Sequence, residues 1–113
     1  MLDLPFPPTV NHYWLQRGTR RFLSERALTF RREVWFAFKD SKHKGFGPKQ
    51  RLHVSVLLYP PDKRRRDIDN VLKGLLDSLQ HSTVFEDDNQ IDALTITRIP
   101  MYTGRSTVTI TCL

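Results

Sequence analysis

The sequence predicts an α/β fold, a small two-layer α+β domain in which a mixed β-sheet packs against two helices. Two periodicities and their order predict it. Apolar residues alternate with period two at 52–59, 94–99 and 107–113, whereas they recur at helical spacing at 27–38 and 68–79. Together with a loose alternation near the N-terminus, these segments give the order strand, helix, strand, helix, strand, strand. A chain of 113 residues with 39% apolar content suits one modest core, so residues 1–113 are expected to form a single domain.

The first strand is read at residues 2–6, ending at Pro7-Pro8. An extended loop follows through Asn11, Tyr13 and Trp14 to Arg17-Gly18-Thr19-Arg20-Arg21, polar, basic and aromatic together. Ser24 with Glu25 marks a helix start, and Ala27, Phe30, Val34, Trp35 and Phe38 form its buried stripe before Lys42. Gly45-Phe46-Gly47-Pro48 is a loop between elements. Leu52, Val54, Val56 and Leu58 define the next strand, which Pro60-Pro61 stops. A second helix is expected from about Asp67 to Gln80, because Ile68, Val71, Leu72, Leu75, Leu76 and Leu79 follow the i, i+3, i+4, i+7 rule. A strand beginning near Ile91 and a last one at 107–113 close the sheet, separated by a turn at Thr103-Gly104.

Several functional classes are disfavoured at once. No segment reaches the roughly 18 apolar residues of a membrane helix, and residues 1–8 lack the basic start and apolar run of a signal peptide, so a cytoplasmic protein is expected. Cys112 is the only cysteine and reads as a small packing residue; it cannot form an internal disulfide or a thiolate zinc site by itself. His12, His43, His53 and His81 show no metal-ligand spacing. Eighteen Lys and Arg against twelve Asp and Glu leave a net charge of +6, which favours a polyanionic partner. The charges are not mixed evenly. Basic residues gather at 17–21, at 39–49 and in Lys63-Arg64-Arg65-Arg66, while acidic ones gather at 67–92.

An acidic cluster inside a basic chain is the pattern of a phosphate-cutting site in which metal ions supply the missing positive charge. In Asp67-Ile68-Asp69-Asn70-Val71-Leu72-Lys73 the polar and apolar residues separate cleanly. Asp69, Lys73 and Asp77 stand at i, i+4 and i+8 opposite the leucine face, and Asp67 stands at the helix entrance, able to cap it. Glu86-Asp87-Asp88 follows by a short loop, and a return connection of that length is expected to bring it back toward the sheet end near Asp67. Converging carboxylates suit a hard divalent cation, and a lysine one turn away could stabilise a pentavalent phosphate. Taken singly, an aspartate at a helix start is usually a cap, and a charged stripe is usually a solvated face. The conjunction with four basic residues directly before Asp67 favours the chemical reading.

Pro7-Pro8-Thr9-Val10-Asn11-His12-Tyr13-Trp14, Pro61-Asp62-Lys63-Arg64-Arg65-Arg66-Asp67-Ile68-Asp69-Asn70, Lys73 and Asp87-Asp88 resemble, in order and separation, the RusA-type Holliday-junction resolvases. The resemblance covers nearly the whole chain. It implies that Asp67, Asp69 and Asp88 are catalytic carboxylates holding Mg2+, that Lys73 is the essential basic residue, and that Asp87 supports them from behind. It also implies a homodimer that nicks two opposed strands of a four-way DNA junction. Candidate DNA contacts are Lys63, Arg64, Arg65 and Arg66 beside the cut, with Asn11, Arg17, Arg20, Arg21 and Asn70 around it. Two other readings compete: a nuclease acting on other branched DNA or on RNA, and a non-catalytic basic module that only binds nucleic acid.

Overall fold

The computed structural model describes all 113 residues. Its centre is β4 (Leu52–Tyr59), whose Leu52, Val54, Val56 and Leu58 are no more than 2% exposed on one face. On that face lie α2 (Glu25–Ser41) and α3 (Leu72–His81), so the sheet and the helices form the two expected layers. β4 pairs with β5 (Ile91–Arg98) in parallel and with β6 (Arg105–Cys112) in antiparallel, and β1 (Leu2–Pro5) adds antiparallel to β6. The order β1-β6-β4-β5 makes the sheet mixed, as predicted. A parallel neighbour cannot be reached by a hairpin, and the crossover from β4 to β5 is made by α3.

The core joins Leu2 and Leu4 of β1, Phe30, Val34 and Phe38 of α2, the inward residues of β4, and Val71, Leu75 and Leu79 around α3. Ser24 caps α2, its Oγ accepting from the Ala27 N–H at 3.0 Å. The helix ends at Lys42, in a left-handed conformation whose N–H donates to the Lys39 carbonyl. No helix is long and apolar enough to cross a membrane.

Four local expectations change. Trp35 is 44% exposed rather than in the core, edge-on to Phe36 at 5.2 Å and beneath the Lys39 ammonium. It follows Val34 by one residue, and one residue turns an α-helix by about 100°, which carries the indole off the buried stripe. Cys112 is exposed, because β1 pairs with β6 only as far as Val108 and leaves the end of β6 as an open edge. The segment read as an extended loop folds into a one-turn helix α1 (Val10–Tyr13) and a hairpin of β2 (Trp14–Arg17) and β3 (Arg20–Leu23). Gly18 there adopts φ +61°, which a tight two-residue hairpin turn requires. Finally, the second helix opens as a 3-10 turn (Ile68–Val71), and Asp67 stays extended without capping it.

Candidate active site

The loop leaving β4 is tied down before it reaches the acidic residues. Asp62 accepts the Arg64 N–H at 2.9 Å and a guanidinium N–H of Arg66 at 2.8 Å, and Arg66 donates also to the Asp62 carbonyl at 3.2 Å. The Arg66 N–H···O bonds hold the Asp62 carboxyl below the ordinary carboxylate range, helped by the backbone N–H of Arg64. The Arg66 side chain is only 19% exposed and lies over the Phe6 ring. Of three consecutive arginines, Arg66 is therefore a fastener. Arg64 reaches out with 83% exposure, Arg65 has no hydrogen bond or ion pair, and Lys63 lies over the ring of Tyr102.

This clip delivers Asp67 and Asp69 to the surface, both exposed, with no hydrogen bond to either carboxylate. The Asp67 and Asp69 carbonyls accept from the N–H groups of Asn70 and Leu72 and so build the 3-10 turn. Lys73 follows in the first turn of α3, exposed and unpaired. Thr9, Arg65, Arg66, Asp67 and Asn70 together line a cleft of about 260 Å³ that no hydrophobic residue enters. Asn11 is exposed on α1. That turn is locked to α3: the Tyr13 hydroxyl, fully buried, is 3.0 Å from the Ser78 Oγ and accepts from Arg31 Nε at 2.9 Å. A Cβ at Gly74 would stand 2.6 Å from the Tyr13 ring, so glycine beside Lys73 is what admits the ring.

Asp88 stands elsewhere. Because β5 runs parallel to β4 and begins beside Leu52, the turn before it lies at the opposite end of the sheet from the loop after Tyr59. Consistently, the Asp88 N–H donates to the side chain of Gln80, in the last turn of α3. From Asp69 to Gln80 the helical rise amounts to about 18 Å. The expected return of the second acidic group to the Asp67 end does not occur within one chain, and no three Asp, Glu, His or Cys side chains gather there in a group able to hold a metal ion.

Asp87 and Asp88 also differ from each other. Asp87 closes a capping box, its carboxylate accepting the Asn89 N–H at 3.0 Å. The Asp88 carboxylate is exposed and has no hydrogen bond. Buried Gln90 holds this turn in place: its Oε1 accepts the N–H groups of Glu86 and Asp87, both at 3.0 Å, and its Nε2 donates to the Gly47 and Gln50 carbonyls. Arg51 braces the same corner through Asp92, at 2.6 Å, and the Asn89 carbonyl. Arg17, Arg20 and Arg21 are exposed on the hairpin, where Arg21 stacks 4.2 Å above the Trp14 ring and Arg20 lies over Phe22. Sequence reasoning missed Tyr13, Ser78, Gly74 and Gln90 as positioning groups; only Gln90 left a readable trace, in the Asp87-x-x-Gln90 spacing of the capping box.

Fold and site together define a class: a small α+β protein presenting bare carboxylates and unpaired cations side by side, a surface suited to a phosphodiester polyanion. The family model described as endodeoxyribonuclease RusA matches residues 5–111, and the chain belongs to that family. Among its relatives, a crossover junction endodeoxyribonuclease of Enterobacteria phage HK97 is 43% identical over 95 residues, covering 84% of this chain and 78% of that protein. Those of Enterobacteria phage 82 and Escherichia coli K12 are 30% and 29% identical over 111 residues, covering 97% of this chain and 92% of each relative.

Proposed function

We propose that this protein is a Mg2+-dependent endodeoxyribonuclease that resolves four-way DNA junctions by paired symmetric nicks, acting as a homodimer in the compartment that holds the DNA. The observation that carries this reading is the pair of bare carboxylates, Asp67 and Asp69, set with Lys73 beside the arginine loop of a chain belonging to this family. The donor set fits a hard cation: Asp67, Asp69 and Asp88 offer only oxygen, all three are exposed, and none is engaged in a hydrogen bond. Their separation favours a site shared between copies, in which Asp88 of the partner subunit meets Asp67 and Asp69 about a two-fold axis.

A bound Mg2+ would supply Lewis acidity at the phosphorus and a water of lowered pKa. The chain supplies the rest. Lys73 places a point charge where negative charge accumulates on the pentavalent phosphate. Arg64 and Arg65 hold the neighbouring phosphates, and the Asp62–Arg66 clip fixes the loop that carries them. Two such sites on one axis match the two strands of like polarity in a junction. Incubation with a synthetic mobile junction and Mg2+, mapped on all four strands, is expected to give nicks at symmetric positions on one opposed pair. Binding without cutting, with or without the cation, would instead identify a non-catalytic binding module.

A further inference from the structure

The polar cleft beside Asp67 does not end there. Through Thr9, Arg65 and Arg66 it continues into a groove of about 630 Å³, walled by Pro5-Phe6-Pro7-Pro8 on one side and by Arg26, Thr29 and Glu33 of α2 on the other. His12 lines this groove. Its Nδ1 is approached by the Thr9 hydroxyl at 3.1 Å and by an Arg26 guanidinium nitrogen at 3.5 Å. A guanidinium only donates, so this contact favours the tautomer in which Nδ1 accepts and Nε2 carries the ring proton. The groove therefore carries a second set of donors, Nε2–H of His12 and the guanidinium groups of Arg26 and Arg65. None of these cations has a carboxylate within ion-pairing distance, although Glu25 and Glu33 also line the groove. Open carboxylates among them disfavour a free small anion and favour a ligand held in place from the neighbouring site.

We propose that Arg26, His12 and Arg65 form a second phosphate cradle, which holds the sugar-phosphate backbone of the cut strand next to the scissile linkage. This rests on the nuclease reading and extends it to residues of α1 and α2. The cradle fixes the direction in which that strand leaves Asp67.

The test uses the whole protein and junctions in which one phosphate at a time near the cut is replaced by an uncharged methylphosphonate. Binding is followed by fluorescence anisotropy with Ca2+ in place of Mg2+. For the wild type, one linkage beside the cut is expected to weaken binding about tenfold when neutralised, the scale of a lost charge-assisted hydrogen bond. Arg26→Ala removes the contact from both subunits of the dimer and is expected to bind the natural junction about a hundredfold more weakly, with a salt slope lower by about two, and to be insensitive to that same neutral linkage. His12→Ala, a change at an exposed residue, is expected to share the insensitivity in part. Losses from Arg26→Ala and from every neutral linkage that simply multiply, or an unchanged salt slope, would overturn the cradle while leaving the nuclease reading intact. A wild type that neither prefers the natural junction nor cuts it would overturn the nuclease reading and the cradle with it.

Discussion

Asp69→Asn is expected to reduce junction cleavage by at least 10²–10³-fold, the scale on which a preorganised charge-stabilising group matters, while junction binding holds or tightens. The structure separates the two effects. The Asp69 carboxylate is exposed and has no hydrogen bond, so its amide analogue breaks nothing in the fold. The turn depends on the Asp69 carbonyl, which accepts from Leu72 and is unchanged by the substitution. The remaining cost is one negative charge in the first turn, about 0.3–1 kcal/mol. Removing that charge also makes a basic surface more basic, which explains the binding side of the expectation. Single-turnover cleavage with anisotropy on the same junction checks both, and wild-type cutting by the variant would show that Asp69 holds no metal.

Gln90→Ala is expected to be among the most destabilising single substitutions in the chain, at about 3–5 kcal/mol in urea unfolding. One amide side chain satisfies the N–H groups of Glu86 and Asp87 and the carbonyls of Gly47 and Gln50, and it is 1% exposed. Truncation strips the partner from the N–H groups of Glu86 and Asp87 and from the Gln50 carbonyl, while the Gly47 carbonyl keeps the Gln50 N–H at 3.2 Å, against a total stability of about 5–15 kcal/mol for an ordinary domain. The midpoint should fall with little change in slope. Because the same turn presents Asp88, cleavage should fall also at temperatures where the variant is still folded. A loss below about 1 kcal/mol would mean that water already serves these groups.

Legibility in the sequence followed burial. β4 and α3 were readable because each has one face against the core, so period two and period 3.6 are written directly into Leu52, Val54, Val56 and Leu58 and into Leu72, Leu75, Leu76 and Leu79. The β2–β3 hairpin was not, since Leu15, Phe22 and the arginines around them are exposed on both strands and no face selects a pattern. Asp67, Asp69 and Lys73 were readable as a local cluster. The position of Asp88 was not, because it depends on β5 being parallel to β4, a pairing between distant segments that no local spacing records. Nor could the three arginines be told apart before Asp62 was seen to hold Arg66 and leave Arg65 free.

A helix length separates Asp69 from the turn that bears Asp88, and this gives the proposed shared site a genetic signature. Chains carrying Asp69→Asn and chains carrying Asp88→Asn should each be inactive alone, because every site in either homodimer lacks one carboxylate. Mixed after subunit exchange, they complement. Each hybrid pair then holds one site with all its carboxylates and one with two missing, so the mixture should nick a junction on a single strand and stop, a resolvase turned into a nickase by shuffling its halves.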